Sequence, residues 1–205
     1  MRGFSIDIDV AAEDTDGYAN DDDSGNGGTV TLITTSPGDG LAHKVVITPS
    51  GSVSGNYTLV GTDADGKSIS ETLATSTTNA VTSSAYFATL TSVTNATVGS
   101  ETIDVGWADE VATKTYPLDV YRPYPPTVQV DVTGTIAFDI EYTMSDVQAS
   151  NTGQNNFVWA NDANFTNKSA DLTDDLSLPG YRAIRIVVNS YSSGAEMQAY
   201  FNFPY

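Results

Sequence analysis

One histidine is the residue of this chain best suited to acid–base catalysis near neutral pH. Any Ser-His-Asp mechanism would have to use His43, because the sequence has a single His and no Cys. The nucleophile pattern G-x-S-x-G is absent, since Val53 stands at the serine position of GSVSG, 51–55. His43 lies beside Lys44 just before a predicted strand. That placement predicts a histidine in a solvent-facing loop.

Two carboxylates, Asp139 and Glu141, are spaced to share one face of a strand. A glycosidase needs two carboxyl groups about 5–10 Å apart across a cleft, one with a raised pKa. Because Phe138, Ile140 and Tyr142 are the alternating residues, the pair is predicted to mark the solvent side of that strand. P-loop, GxGxxG and HExxH patterns are absent. The sequence therefore predicts a protein that is not an enzyme and has no cofactor.

Calcium is the metal that the acidic segments suggest. The DADG segment, 63–66, resembles the start of a calcium-binding loop, but Lys67 takes the third ligand position and Ala74 the place of the bidentate Glu. Ligand counting therefore makes 63–66 a turn. A second, weak Ca²⁺ candidate is the run of consecutive carboxylates Asp21, Asp22 and Asp23. A solvated loop is the alternative interpretation of that run.

The charge balance excludes whole classes of partner. Asp and Glu number 26 against 8 Lys and Arg, a net charge of −18. Phosphate backbones and anionic membrane surfaces are repelled at long range, so we expect neither nucleic acid nor membrane as a partner. The N-terminus has no continuous apolar stretch like that of a secretory signal, and no run is long enough to span a membrane.

Composition and patterning predict an all-β chain. Thr, Ser, Val, Ile and Tyr dominate, and no window has a helical apolar stripe. The clearest element is a hairpin over 57–73, in which Asp65-Gly66 is a strong turn signal. The other predicted strands are 4–10, 30–34, 44–48, 80–82, 87–93, 101–107, 128–132, 136–142, 157–159, 182–189 and 196–203. Thr133-Gly134-Thr135 is predicted to join 128–132 and 136–142 as a hairpin.

The predicted architecture is two small antiparallel β-sandwich or barrel-like domains with an extended N-terminal arm. The arm and an acidic loop occupy 1–28, the first domain 29–115 and the second 127–205. Between the domains, segment 116–126 (YPLDVYRPYPP) contains four prolines and is expected to run as an extended linker. Residues 11–28 have almost nothing to bury and are expected to form a loop.

Two segments are candidates for a protein interface. Phe4, Ile6, Ile8 and Val10 alternate with polar residues, and such a strand on an acidic tether could pair with a neighbouring subunit or with its own domain. The other candidates are the linker and C-terminal aromatics Tyr121, Tyr124, Phe203 and Tyr205. Packing between the domains is the alternative role of the linker tyrosines.

Two stretches resemble structural domains of tailed-bacteriophage virion proteins. The first follows the pattern G-T-x-A-x-G-x-x-I-x-E-T, then F-x-T-V-x-S-I-T, then V-G. Its matching residues are Gly61, Thr62, Asp63, Ala64, Gly66, Ile69, Glu71, Thr72, Phe87, Thr89, Ser92, Thr94, Val105 and Gly106. The second resembles a P-x-x-A-I-R-L-x-V-x-S-Y-x-S-G ending. Its matching residues are Pro179, Ala183, Ile184, Arg185, Val188, Ser190, Tyr191, Ser193 and Gly194.

The resemblance implies a non-enzymatic virion component. The expected role is that of a capsid decoration, or cement, protein on the capsid exterior, made in the cytoplasm of the host bacterium. Its partners would be the major capsid protein or other virion proteins, and a homo-oligomer, with a trimer favoured. A neck, collar, tail or fibre component is the alternative. A carbohydrate- or surface-binding β-sandwich module is the alternative of another class, although Trp107 and Trp159 are both expected to be buried.

Overall fold

Strands make up almost all of the regular structure. A computed structural model describes residues 3–22, 26–53, 55–75, 79–98, 101–119, 121, 124–147, 153–177 and 180–203. The described part contains no α-helix and has a short 3-10 helix at Gln154–Asn156. The predicted all-β class is therefore confirmed. The strands are β1 Phe4–Asp9, β2 Asp14–Asp22, β3 Asn26–Thr29, β4 Ala42–Pro49, β5 Gly55–Thr62, β6 Ser68–Thr75, β7 Val81–Phe87, β8 Thr89–Val98, β9 Ile103–Ala112, β10 Tyr116–Pro117, β11 Thr127–Thr133, β12 Ile136–Thr143, β13 Trp159–Asn161, β14 Leu172–Asp175, β15 Ala183–Tyr191 and β16 Glu196–Asn202.

The chain separates into two compact units. The terminal unit comprises Met1–Val10, Ala112–Asn151 and Asn156–Tyr205, and the central unit comprises Ala11–Val111 and Thr152–Asn155. Both chain ends thus belong to one unit. The division into 29–115 and 127–205 with a linker at 116–126 stays a prediction.

The terminal unit has the character of a β-sandwich. One antiparallel sheet has the order β1-β16-β11-β14, and a second set runs β13-β12-β15, with β10 also pairing with β15. Fully buried apolar side chains recur at alternating positions of these strands, and on β15 the residues between them are buried too, from Ala183 to Val188. These include Val128, Val130, Ile136, Phe138, Ile140, Ile184, Ile186, Val188, Ala199 and Phe201.

The central unit is built around one apolar cluster. Its four-stranded sheet has the order β3-β8-β5-β6, while β9, β4 and β7 are neighbours and β2 pairs with β9. Seven large side chains of the cluster are fully buried, and they come from both groups of strands. They are Tyr18, Ile47, Tyr57, Leu59, Phe87, Leu90 and Ile103.

The 57–73 hairpin is confirmed, with a three-residue turn. β5 and β6 pair from Gly55↔Thr75 to Thr62↔Ser68. Asp63 and Lys67 close the loop, since Asp63 N donates to Lys67 O at 2.9 Å and Gly66 N to Asp63 O at 3.0 Å. Gly66 has φ 72°, the left-handed conformation that follows a type I turn in such loops and that glycine adopts without strain.

The expected loop at 11–28 is wrong where the structure describes it. β2 and β3 lie in this acidic stretch, and Tyr18 and Ala19 are fully buried. Tyr18 packs edge-on against Trp107 with ring centroids 5.0 Å apart. The packing of Tyr18 against Trp107, far away in the chain, stabilises β2 in spite of its polar sequence. A short window of sequence does not contain this contact and therefore predicts a loop.

Two further predictions about strands are wrong. Residues 30–34 form no strand, and Ile33 is 70% exposed. β11 and β12 do not form a hairpin either, because β11 pairs with β14 and β16 while β12 pairs with β13 and β15. Gly134, at φ 84°, lies between strands that join different sheets. Alternating residues predict each strand but not its partner.

Candidate functional site

The histidine predicted to face solvent is fully buried on β4, so that prediction is wrong. His43 Nδ1 is 2.9 Å from the Ala108 carbonyl oxygen, which can only accept, so this nitrogen carries a proton. The other ring nitrogen, Nε2, is 2.8 Å from Asp39 Oδ2. Both ring nitrogens are thus bonded within the protein, whereas a general base needs one within reach of a substrate.

Asp39 also connects the His43–Asp39 pair to the backbone through two hydrogen bonds. Its Oδ2 accepts the Ala11 N–H at 2.9 Å, and its Oδ1 accepts the Leu41 N–H at 3.0 Å. Burial alone would raise the pKa of Asp39, but the bonds from His43, Ala11 and Leu41 and the charge of His43 hold it below its usual value. This constellation orders the segment before β2 and does not expose a reactive atom.

A buried tyrosine completes this environment. The Tyr18 hydroxyl has no hydrogen-bond partner in the described structure, and burial together with the charge of Asp39 raises its pKa. Trp107 lies beside it and donates its Nε1–H to the Ala12 carbonyl at 2.9 Å. Neither ring is presented to solvent, since Tyr18 is 0% and Trp107 8% exposed.

The paired carboxylates of β12 are also structural, and Asp139 is not on a solvent face. It is 9% exposed and accepts bonds from Asn167 N and, at 2.9 Å, from Asn189 Nδ2. Glu141 accepts from Arg185 Nε at 2.6 Å, and the Arg185 guanidinium stacks 4.4 Å from the centre of the Trp159 ring. Trp159 is only half-buried, so its expected burial is wrong, whereas Trp107 is buried as expected.

The DADG turn is stabilised by hydrogen bonds from backbone N–H groups to the Asp63 carboxylate. Asp63 is 1% exposed, and its Oδ1 accepts the N–H groups of Asp65 and Lys67, each at 2.9 Å. Its Oδ2 accepts the N–H of Gln154 at 2.6 Å, which anchors the backbone of that residue in the same unit. Of the residues that resembled calcium ligands, Asp63 thus binds backbone donors, and Asp65 accepts a bond from the Gln154 side-chain amide at 3.2 Å.

The second calcium candidate cannot be described in atomic terms. Asp21 and Asp22 lie in β2, but their side chains, and Asp23 altogether, fall outside the described residues. Within the described residues, no three His, Asp or Glu side chains converge as they would around a metal ion. The calcium candidate stays a prediction.

The predicted interface residues divide into a buried and an exposed group. Ile6, Ile8 and Val10 are buried, because β1 pairs with β16 of its own chain. Phe4 stacks on Phe201 with ring centroids 4.8 Å apart. This is the own-domain pairing left open by the sequence. Tyr121 is 93% and Tyr124 62% exposed, Phe203 is half-buried, and Tyr205 lies outside the described residues.

Sequence reasoning missed a buried carboxylate in the terminal unit. Asp162 is fully buried and accepts the Asn164 and Ser177 N–H groups at 2.9 and 2.8 Å. It also accepts the Ser177 hydroxyl at 2.8 Å and the Tyr181 hydroxyl at 3.1 Å. The Asp-x-Asn spacing is a turn signal that predicts the first of these bonds. The others come from residues distant in sequence.

An open cleft lies beside the exposed tyrosines of the terminal unit. Its walls are aromatic rings, prolines, one leucine, one glycine and one carboxylate. Its lining residues are Leu118, Asp119, Tyr124, Pro125, Pro126, Gly180, Tyr181 and Phe203. In its wall, Tyr124 is 62% exposed, whereas Tyr181 is 3% exposed.

Comparison with known proteins gives no family. No protein-family model matches the chain, and no curated protein is detectably similar to it. Within the described part of the chain, no helix combines the length and apolarity that a membrane crossing needs.

Proposed function

We propose that this chain is a non-enzymatic structural protein of a tailed-bacteriophage virion, bound as a decoration protein to the outer surface of the capsid. The observation that carries the proposal is that residues of the phage-like pattern occupy positions where the fold restricts which residue fits. Gly61 and Gly106 are places where a Cβ would overlap backbone, of Thr89 and of Asp14 respectively. The resemblance therefore rests on positions that constrain a scaffold.

Glu71 of the same pattern has a similar role. Its two carboxylate oxygens accept the N–H groups of Ser84 and Ala85, each at 2.8 Å, and so connect β6 to the middle of β7. Hydrogen bonds from backbone to a charged group are among the stronger ones in proteins. Glycines required by close packing, together with carboxylates that bind backbone N–H groups, are typical of proteins that share a fold and not of proteins that share a catalytic reaction.

The buried ionisable groups support a role without chemistry. His43 with Asp39, Glu141 with Arg185, and the carboxylate of Asp63 all bind partners inside their own unit. Catalytic groups must instead meet a substrate in a cleft. The proposal accordingly assigns no catalytic residue to the chain.

Sugar binding is less favoured than a virion role. Aromatic platforms of sugar-binding modules must offer a ring face to the ligand. The guanidinium of Arg185 already covers Trp159 at 4.4 Å, and it is held there by Glu141. The net charge of −18 suits an exposed position on a particle, since it opposes nonspecific adhesion. The proposed partners are the major capsid protein and further copies of this chain, with a trimer favoured.

The position on the particle is tested by labelling intact virions with an antibody against the purified protein, followed by electron microscopy. Label spread evenly over the head is expected of a decoration protein. Label confined to one vertex or to the tail would replace this role with the neck, collar or tail alternative. Absence of label from particles whose dissociated proteins also lack the chain would overturn the virion assignment.

A further inference from the structure

The single histidine of the chain has a hydrogen-bond acceptor at each of its two ring nitrogens. His43 Nδ1 lies 2.9 Å from the Ala108 carbonyl oxygen, which can only accept. Nε2 lies 2.8 Å from Asp39 Oδ2, and this oxygen also accepts the Ala11 N–H at 2.9 Å. A neutral imidazole has one N–H and would satisfy one of these two acceptors. The hydrogen-bond pattern therefore requires a proton on both ring nitrogens, which makes His43 a cation.

Asp39 is the anion that matches this cation. Its second oxygen, Oδ1, accepts the Leu41 N–H at 3.0 Å, so both carboxylate oxygens act as acceptors. Burial raises the pKa of Asp39, but the bonds from His43, Ala11 and Leu41 and the charge of His43 outweigh burial and hold the pKa below its ordinary value. The His43 side chain is 0% and the Asp39 side chain 8% exposed. Because water has little access to either charge, each charge is stabilised mainly by its partner.

The ion pair holds the backbone at the start of β2. Ala11 donates its N–H to Asp39, and the carbonyl of the next residue, Ala12, accepts the Trp107 Nε1–H at 2.9 Å. The rings of His43 and Trp107 meet edge to face, with centroids 6.5 Å apart. Of the two bonds that hold residues 11 and 12, the one to Asp39 depends on charge.

The other groups packed around the pair do not titrate near neutral pH. Tyr18 of β2 is fully buried, and burial together with the charge of Asp39 raises its pKa. Lys44, the next residue on β4, points to the opposite face of the strand and is bonded to Glu110 of β9. The neighbours of His43 on β7 and β9 are Phe87 and Trp107, which carry no charge. In the stretch that enters β2, Glu13 is exposed, while Asp14 and Asp16 are half-buried and interact with each other. Histidine is the member of this set that ordinarily titrates near neutral pH.

We propose that His43 and Asp39 form a pH-controlled latch on the start of β2. With both ring protons present, the latch is closed and Asp39 holds the Ala11 backbone. When Nε2 releases its proton to water, its lone pair faces the Asp39 carboxylate, and a buried anion is left without its cation. Asp39 then turns away and releases Ala11. This inference goes beyond the proposed virion role and does not rest on it.

The two partners of His43 differ in their freedom to move. The Ala108 carbonyl belongs to β9 and is fixed by the sheet, so the Nδ1 proton stays bonded. Asp39 lies in the loop before β4, between Gly38 and Gly40, whose φ angles are 94° and 78°. Glycine has access to more backbone conformations than any other residue. Opening is therefore expected on the Asp39 side of the ring.

The latch is closed within a pH window. On the acid side, the lowered pKa of Asp39 means that its bonds are complete above about pH 4 and are lost as the pH falls through that lowered value. On the alkaline side, the bonds persist while His43 is a cation and are lost as the pH rises through the titration of its ring. Release of Ala11 should thus follow the protonation of His43.

NMR spectroscopy of the full-length chain labelled with nitrogen-15 tests this directly, because one histidine gives an unambiguous ring signal. At about pH 6, below the ordinary titration of histidine, both ring nitrogens are expected to be protonated. As the pH is raised, protection of the Ala11 amide from hydrogen exchange, corrected for the intrinsic rate at each pH, is expected to fall at least about tenfold, with the midpoint of the ring signal. The Gln154 amide, which Asp63 accepts at 2.6 Å in the same unit, is the control and should keep its protection.

Two variants separate the charge of the pair from its shape. Asp39→Asn keeps the size of the side chain but removes the anion, so protection of Ala11 should be lower than in the wild-type chain and should no longer change with His43. Glu110→Gln removes the carboxylate bonded to Lys44, the neighbour of His43 on β4, and should change neither the ring titration nor the protection of Ala11. If Asp39→Asn does not fold, the titration of the wild-type chain still decides.

Three results would overturn the proposal. The first is a ring with only one protonated nitrogen at about pH 6, which would make the pair neutral. The second is a ring that loses its proton while the protection of Ala11 stays constant, which would make the pair a static contact. The third is an equal loss of protection at Ala11 and Gln154, which would assign the change to unfolding of the whole unit.

Discussion

Buried carboxylates hold loop backbone at several places in the described part of the chain. Asp39, Asp63 and Asp162 each accept at least two backbone N–H groups. Of these bonds, those made within a turn follow from local sequence signals, as at Asp63 in DADG. The bond from Asp63 to Gln154, 91 residues away, has no such signal. Sequence patterns therefore identify the turns but not the segments that the turns capture.

Replacing Asp63 by Asn is expected to lower the free energy of unfolding by about 2–3 kcal/mol. An amide has one acceptor oxygen, so its NH2 group would face one of the three N–H donors that Asp63 now accepts. Urea unfolding measures the change. Asp109→Asn is the control, with an expected change within about 0.5 kcal/mol because Asp109 is half-exposed. Equal effects of the two substitutions would contradict the role of Asp63.

Tyr181 makes stability depend on pH in the alkaline range. Burial and the neighbouring carboxylate of Asp162 raise the pKa of Tyr181 to about 12, against a partly opposing bond from Ser177. Because the folded-state pKa lies above the unfolded value of about 10, this contribution is complete below about pH 10 and is lost as pH rises toward 12.

Tyr181→Phe should therefore reduce the alkaline loss of stability. The difference in unfolding free energy between about pH 9 and about pH 11 is expected to be smaller in the variant, by about 1 kcal/mol. Urea unfolding at the two pH values measures it, and the remaining tyrosines are the same in both proteins. An unchanged difference would show that Tyr181 does not titrate in this way.

At the scale of elements, two glycines of similar context have different roles. Gly61 on β5 lies against β8, and a Cβ there would overlap the Thr89 carbonyl oxygen, whereas a Cβ at Gly28 on β3 would meet nothing within 4 Å. Gly61→Ala is expected to destabilise the chain by about 1–3 kcal/mol through displacement of β8. Thermal unfolding checks this against Gly28→Ala, expected to be neutral. Comparable melting temperatures would contradict the close approach of β5 and β8.

Element existence was easier to predict than element pairing. Alternation predicts β1, β15 and β16, a short apolar run predicts β4, and the Asp65-Gly66 signal predicts the β5–β6 hairpin. β2 was missed because its acidic sequence carries one buried aromatic, Tyr18, whose packing partner Trp107 is distant in the chain. The sequence does not predict the cleft either, because its lining residues near 118–126, 180 and 203 are far apart in the chain and come together only when it folds.

At the scale of the whole molecule, two properties bear on function. The chain is an all-β scaffold whose buried ionisable groups bind internal partners, and it carries a net charge of −18. Both suit a protein that is displayed on a particle and must remain folded and soluble there. The exposed tyrosines beside the cleft are where contact with another protein is expected.

The most direct test of the proposed function is quantitative mass spectrometry of purified virions of the phage that the proposal requires to encode the chain. A decoration protein is expected at many copies per particle, in a fixed ratio to the major capsid protein that persists through further purification. A few copies per particle would point to the neck or tail instead. Absence of its peptides from intact virions, with the capsid peptides fully detected, would contradict the account.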